Sequence, residues 1–575
     1  MKKILITMVT MLCFSGCSTV QNVYKSASDL AGSGMNRLAN IIPERNEPVA
    51  PETAEISEPP DFQKPIDFIP EALGNYEWKI TTDNKNAQEY FKQGMQLRYA
   101  YNVNEAARSM AEARRIDPNC AMCYWGEAFA LGSFLNGHMT AEKNTYARKA
   151  MTRASILAKN NANQMERDLI EASLVRYPRN WTDEMARDKQ KRRPTYQAFA
   201  DSMEKVYEKY PNNNDIATVY AVALFMLEER RGYRDINNPD LIRLHNVLTK
   251  VLDDDISHPG ACHLYIHATE SSQRPDLALN CADVLSDAVP VASHIQHMPS
   301  HTFNRTGHWA KAVVSGQKAQ QSDLQALKNK GFSYGDTHNL HMLLYAASYD
   351  GQSAAATQAG KDYRKLTDNY ENKDFPVQYA PYEILTLIRF GRFDEVLQKT
   401  NKPKNDFASA LWDFAKGYAS LKTGDKKTAA DMHKQVLESA DRLDGTFRGD
   451  SHQTLLNTVA YILEGEMHIA EGDLNSAIRS FEEAVKFENA LEYSEPEPLP
   501  FSAQHWLGAA LYSNGQYQEA EQVYKDELQH HPHNGWSLYG LQQSLAAQGL
   551  NDDDINQDLK ESWARSNLWI TSSRF

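Results

Sequence analysis

The 575-residue chain is short of several things, and each shortage closes off a class of function. Beyond residue 14 no stretch holds the run of about eighteen apolar residues that a membrane-spanning helix needs, so everything past the extreme N-terminus is expected to be soluble. Dense basic runs are missing except for KQKRR at 189–193, which reads as a solvated helix face, and the formal net charge is -14. Nucleic-acid binding is therefore disfavoured, because phosphates call for clustered Lys and Arg that release counterions. Alternating strand patterns are nearly absent. There is no P-loop, no dinucleotide fingerprint and no GxSxG elbow, so the motifs of nucleotide-dependent and serine-hydrolase chemistry are not present.

Cysteine is scarce too, with six in all. Two of them lie in the opening MKKILITMVTMLCFSGCSTV, where two lysines precede an apolar run from Ile4 to Phe14 that is too short to span as a helix. The ending FSGC resembles a bacterial lipobox, with Phe14 in the place usually held by Leu. The resemblance implies that residues 1–17 form a lipoprotein signal peptide and that Cys17 takes the lipid, anchoring the chain to a membrane without passing through it. Ser18, in place of the Asp that resembles an inner-membrane retention signal, points to the outer membrane facing the periplasm. Residues 18–70, centred on NEPVAPETAEISEPPDF, read as a flexible polar tether. Of the four remaining cysteines, Cys120 and Cys123 form CAMC, which in an oxidising compartment could close a small disulfide or offer thiolates to a metal. Tyr124 stands where a haem attachment site would need His.

Residues 71–575 carry an internal repeat. Gly94, Ala106, Met110, Ala113 and Pro118 lie at offsets 0, 12, 16, 19 and 24, and Gly465, Ala477, Phe481 and Ala484 repeat the first four. Gly508, Ala520, Tyr524 and Pro532 do so again, with Glu527 where an alanine is expected. Small residues at these points let two antiparallel helices approach closely, a large side chain fills the gap, and proline ends the second helix. The pattern resembles the tetratricopeptide repeat, clearest near 87–120, 260–290, 294–325, 338–365, 458–489 and 504–535. That resemblance implies an all-α fold: an α-solenoid of tandem helix-turn-helix repeats forming a right-handed superhelix with a concave groove for a protein or peptide. Residues 130–215 fit the repeat poorly and are expected to hold irregular helices.

Histidine is concentrated where the repeat is clear, nine of eighteen lying between His258 and His341. With Ala278, Ala312 and Ala356 as the residue that opens the second helix of successive repeats, His263, His297 and His341 each lie fifteen residues earlier. His267 and His301 lie eleven earlier, with Tyr345 in the third copy, and His294 and His338 lie eighteen earlier. Offsets of three and four share a helix face, so these imidazoles are expected to face the groove. His263, His267, His297 and His301 could supply four nitrogens to Zn²⁺ or Cu²⁺, with His338 and His341 as a third wall. Glu270 and Asp336 are the nearby carboxylates, either as ligands or their hydrogen-bond partners. Cys262 and Met298 adjoin the row and would widen the choice toward Cu(I). The row lacks the Glu of an HExxH protease.

HLYIHATE at 263–270, HMPSHTFN at 297–304 and NGWSLYGLQQSLAAQG at 534–549 are similar to a group of bacterial tetratricopeptide lipoproteins, which strengthens the fold expectation and implies no activity. Trp125, Trp309, Trp506 and Trp536 read as core, HHPH at 530–533 as an exposed turn, and EYSEPEPLPF at 492–501 as an inter-repeat loop that could cover one end of the groove. The sequence favours a membrane-anchored, periplasm-facing scaffold whose groove binds an envelope partner and a transition metal. A metal-free scaffold for envelope proteins or peptides is the first alternative. A metal-dependent hydrolase or oxidoreductase, with Glu270 or Asp336 as general base on a metal-bound water, is the second.

Overall fold

The computed structural model describes residues 60–70, 74–228, 232–368 and 381–575. The signal peptide, Cys17 and the tether up to residue 59 lie outside the described residues. Residues 60–70 lie against the first helices: Phe62 is buried, and the Ile69 N–H donates to Gln93 Oε1 at 2.8 Å.

From Lys85 onward the chain is a succession of antiparallel helix pairs. The packing rule legible in the sequence operates here between side chains. A Cβ added at Gly508 would lie 2.5 Å from Tyr524 Cζ, and one at Gly540 would lie 2.1 Å from the same atom. Tyr524 thus fills a notch made by one glycine of its own pair and one of the next. Met110 does the same between Gly94 and Gly126, at 2.7 and 2.5 Å. The large side chain sits directly against each glycine backbone because no Cβ intervenes, and each pair buries its apolar side against its neighbour. The four tryptophans read as core are all buried.

Residues 130–215 are helical too, including Ala141–Asn161 and Lys189–Lys209. Their helices start at ordinary caps rather than at the repeat signature: Thr140 accepts from Lys143 N, and Asn163 with Glu166 makes a reciprocal capping box. Among the described residues the strands are Thr446–Phe447 and Asp450–Ser451, one short antiparallel hairpin.

The array closes on itself. At its start, Gln96 Nε2 donates to the Ala288 carbonyl and Asn102 Nδ2 to the Ser333 carbonyl. At its end, Trp536 Nε1 donates to the Ser348 carbonyl, Trp309 Nε1 to the Pro532 carbonyl, and Arg565 grips Asp350 at 2.7 and 3.0 Å. First and last pairs both return to the central helices Pro259–Thr269, Ser293–Arg305 and Asp336–Tyr349. The concave side is therefore largely filled by the chain's own segments.

Replacing Gly508 or Gly465 by valine drives a side chain into Tyr524 or Phe481. Each change should lower stability by about 1–3 kcal/mol or more, read as a lower urea midpoint with far-UV circular dichroism retained before the transition.

Candidate metal centre

Three central helices carry the histidines. Pro259 occupies the first position of Pro259–Thr269, a place where a missing N–H is harmless, and His258 Nδ1 caps it by accepting from Ala261 N at 3.2 Å. His263 and His267 then lie one turn apart on its inward face. Ser293–Arg305 presents His294, His297 and His301, and Asp336–Tyr349 presents His338 and His341. His263, His267, His294, His297 and His301 are buried, and His338 is half-buried.

The rings sort into two sets. His263, His267 and His294 place one nitrogen each within 4.8 Å of one another, and His297, His301 and His338 do the same. Each set takes an i, i+4 pair from one helix and a third ring from a neighbour. The sets abut, with His294 and His297 ring centroids 4.6 Å apart and those of His267 and His301 5.6 Å apart. The four rings expected to share one ion thus divide two and two. His341 joins neither set; one turn deeper along its helix, it packs on Tyr382 with centroids 4.2 Å apart. Asp336 opens that helix, its Oδ1 accepting from Thr337 N, and is in neither set.

The protein dictates which nitrogens face inward. A carbonyl only accepts, so His263 must carry its proton on Nδ1 to bond Tyr99 O at 2.5 Å, leaving the Nε2 lone pair inward. Glu270 accepts from His267 Nδ1 at 2.7 Å through one oxygen and from His301 Nδ1 through the other. One carboxylate therefore orients a ring in each set, the arrangement that fixes metal-ligating imidazoles. His263 Nε2 and His294 Nε2 lie 3.1 Å apart. Two nitrogens each about 2.0–2.1 Å from one tetrahedral ion are held at about that separation. His267 Nε2, His294 Nδ1 and both ring nitrogens of His297 have no hydrogen-bond partner despite complete burial. Orphaned buried nitrogens are costly for a structural role and ordinary for ligands.

Electrostatics favour the neutral form at four of these rings. Burial, reinforced by neighbouring imidazoles, holds His263, His294, His297 and His338 well below the usual histidine range. Burial lowers His267 as well, against the pull of Glu270. Burial and the nearby Glu495 push the Glu270 carboxyl up, but the His301 and His267 rings more than offset both.

The segment between helices Leu474–Glu488 and Gln504–Ser513 lies across the cluster as a strap. Tyr493 donates to Glu270 Oε2 at 3.2 Å, and Glu495 reaches within 3.8 Å of His301 Nδ1. Arg448 holds the strap by donating to Ser494 Oγ at 3.0 Å and to the Glu495 carbonyl. Further along, Glu497 Oε2 lies 3.1 Å from His531 Nε2, whose Nδ1 faces Glu527 at 2.8 Å. HHPH is thus a correction: His531 is buried, because the array's closure brings Tyr345, Tyr349 and two carboxylates around it. Glu527, out of place as a repeat residue, is buried as the shared partner of His531, His505 and Asn534.

Sequence reasoning found His294 in register without counting it as a ligand, and it assigned no role to Tyr99, Tyr493, Glu495 or Arg448. The displaced alanine at Glu527 was a signal for the second network; EYSEPEPLPF was read as a loop that could cover the groove, without roles for Tyr493 and Glu495. Cys120 and Cys123 are joined in a disulfide, and Cys262 is joined to Cys281, so no thiolate of Cys262 is offered to the histidines. Met298 is buried in the core.

No family model matches the sequence, and no curated protein matches it. Among solved structures, the human IFIT1 dimer with m7Gppp-AAAA is 13% identical over 85% of this chain and 92% of its own, with a TM-score of 0.28. The P58(IPK) TPR domain is 13% identical over 83% and 97%, with a TM-score of 0.21. The APC/C hetero-tetramer Cut9-Hcn1 is 12% identical over 86% and 79%, at 0.27. By its own helix pairs this chain is an all-α helical-repeat array.

Burial pushes His531 down, but the Glu497 and Glu527 carboxylates raise it to about 10. A folded-state value above the ordinary ~6.5 means that its stabilisation is complete below that pH and lost as pH rises through about 10. His531→Gln should cost about 3–5 kcal/mol at pH 7. The gap in melting temperature between parent and variant should narrow steadily between about pH 6.5 and about pH 10; a constant gap would remove the ion pair from the account.

Proposed function

We propose that this protein binds a pair of transition-metal ions, one in each histidine set, inside a tetratricopeptide-like array lipidated at Cys17 and held at the outer membrane facing the periplasm. The observation that carries the metal reading is the abutting pair of three-histidine sets, with Nδ1 of three rings tied back by Tyr99 and Glu270. Neutral imidazole-only sets suit copper or zinc. The envelope location rests on the N-terminal sequence, and two disulfides accord with an oxidising compartment.

Three imidazoles leave each ion an open coordination position, the feature that separates catalytic from closed structural sites. That supports a metal-dependent hydrolase or oxidoreductase over a purely structural metal. Glu270 is not a general base in this reading, since both its oxygens are engaged by imidazole N–H groups; it is a positioning residue. The metal-free scaffold for envelope proteins or peptides is the weaker reading. It needs an open groove, and residues 489–503 with the C-terminal repeats occupy much of that space.

Metal content by mass spectrometry, on tag-free protein purified without chelator and again after reloading with copper or zinc, tests this. About two equivalents are expected in the parent. The His263→Ala/His297→Ala variant, which removes one ligand from each set, should hold none. His338→Ala should lose about half, and His341→Gln should lose nothing. No bound metal in the reloaded parent would refute the reading.

A further inference from the structure

One turn departs from the repeat exactly where it meets the first histidine set. The residue five before the repeat alanine joins the two helices of a pair, and in four pairs it is Gly307, Gly351, Gly472 or Gly515, at φ 74°, 67°, 84° and 79°. In the first pair that place belongs to Tyr101, at φ 60°. The turn itself is unchanged: Tyr101 N donates to Arg98 O and Asn102 N to Leu97 O, as Gly515 N does to Tyr512 O and Gln516 N to Leu511 O. A tyrosine at positive φ carries strain that glycine avoids, and such strain persists where the surroundings over-determine it. Asn102 contributes here by tying the turn to the Ser333 carbonyl at 3.0 Å.

The strained turn places a buried ring against three imidazoles. The Tyr101 ring centroid lies 4.3, 5.1 and 6.2 Å from those of His263, His294 and His267, the whole of the first set. On that side His263 and Tyr101 line a void of about 20 Å³, room for about one water. The second set meets a different space. His297, His301 and His338 all line a cavity of about 530 Å³, whereas the first set contributes only His267 and His294 to it. That volume lies in the range of about 300–1,000 Å³ typical of small-molecule sites. His338 is also the partly exposed ring of the six.

Given the metal pair proposed above, we infer that Tyr101 is a positioning residue that closes the open side of the first ion, so that a small organic molecule entering the cavity presents its oxygen or nitrogen donor to the second ion, held by His297, His301 and His338.

The test is azide titration of copper(II)-loaded full-length protein, read by the azide-to-copper charge-transfer band, with copper counted by mass spectrometry. The parent should bind about one azide per two coppers. His338→Ala, which leaves the first set whole, should hold about one copper and bind azide at least about tenfold more weakly. Tyr101→Gly, the residue this turn carries in the other pairs, should hold about two coppers and bind about two azides. Tyr101→Phe keeps the ring and should stay at about one. Two azides or none in the parent, a single azide in the two-copper glycine variant, or undiminished azide binding by His338→Ala would overturn the inference. Loss of a copper from Tyr101→Gly would overturn it too, by making the ring a support for the ligands instead of a cover for the ion. A parent that holds no copper after loading would refute the metal reading itself, and this inference with it.

Discussion

Each helix pair in this chain can bury its apolar side only against the next pair, and that constraint sets the register of everything inside. Gly94, Gly126, Gly508 and Gly540 leave notches that the side chains of Met110 and Tyr524 fill between pairs. Once the pairs are locked at this spacing, residues at equal offsets in successive repeats become neighbours in space. His263 and His297 lie thirty-four residues apart in sequence, yet their sets abut in the interior. The histidine cluster is thus a consequence of repeat packing acting on a short list of side chains.

Six imidazoles in one dry space would repel one another if charged, and burial already disfavours the charged form. Both effects act in the same direction on His263, His294, His297 and His338 and hold them as neutral nitrogen donors. Glu270 breaks the symmetry by accepting hydrogen bonds from the Nδ1–H groups of His267 and His301, one from each set. The second buried network solves the opposite problem: His531 is made cationic by Glu497 and Glu527, and it knits the C-terminal repeats to Tyr345 on a central helix. The strap connects the two regimes, with Glu495 facing the neutral cluster and Glu497 the charged one.

The repeat and the face of each helix were legible because both depend on spacing along a single element. Gly465 with Phe481 and Gly508 with Tyr524 announce their contacts at a fixed offset, and His263 with His267 announce a shared face. Contacts set by the closing of the array were not legible. The Tyr99 carbonyl meets His263 across 164 positions and Tyr493 meets Glu270 across 223, and no local pattern records such meetings. The same holds for His531, which an exposed HHPH turn would describe if the C-terminal repeats did not return to the centre. The division of six histidines into two sets, and the exclusion of His341, turned on helix placement that spacing alone leaves open.

The distance in sequence between Glu270 and its strap has a bearing on the order in which the interior is made. A chain emerging N-terminus first presents all six imidazoles, by His338, well before Tyr493 and Glu495 exist to lie across them. Until the last repeats fold back, the cluster faces open water, where exchange with small solutes is rapid. Arrival of the strap then covers part of that surface, with Tyr493 on Glu270 and Glu495 beside His301. The final third of the chain thus completes a site whose imidazoles the earlier part supplies.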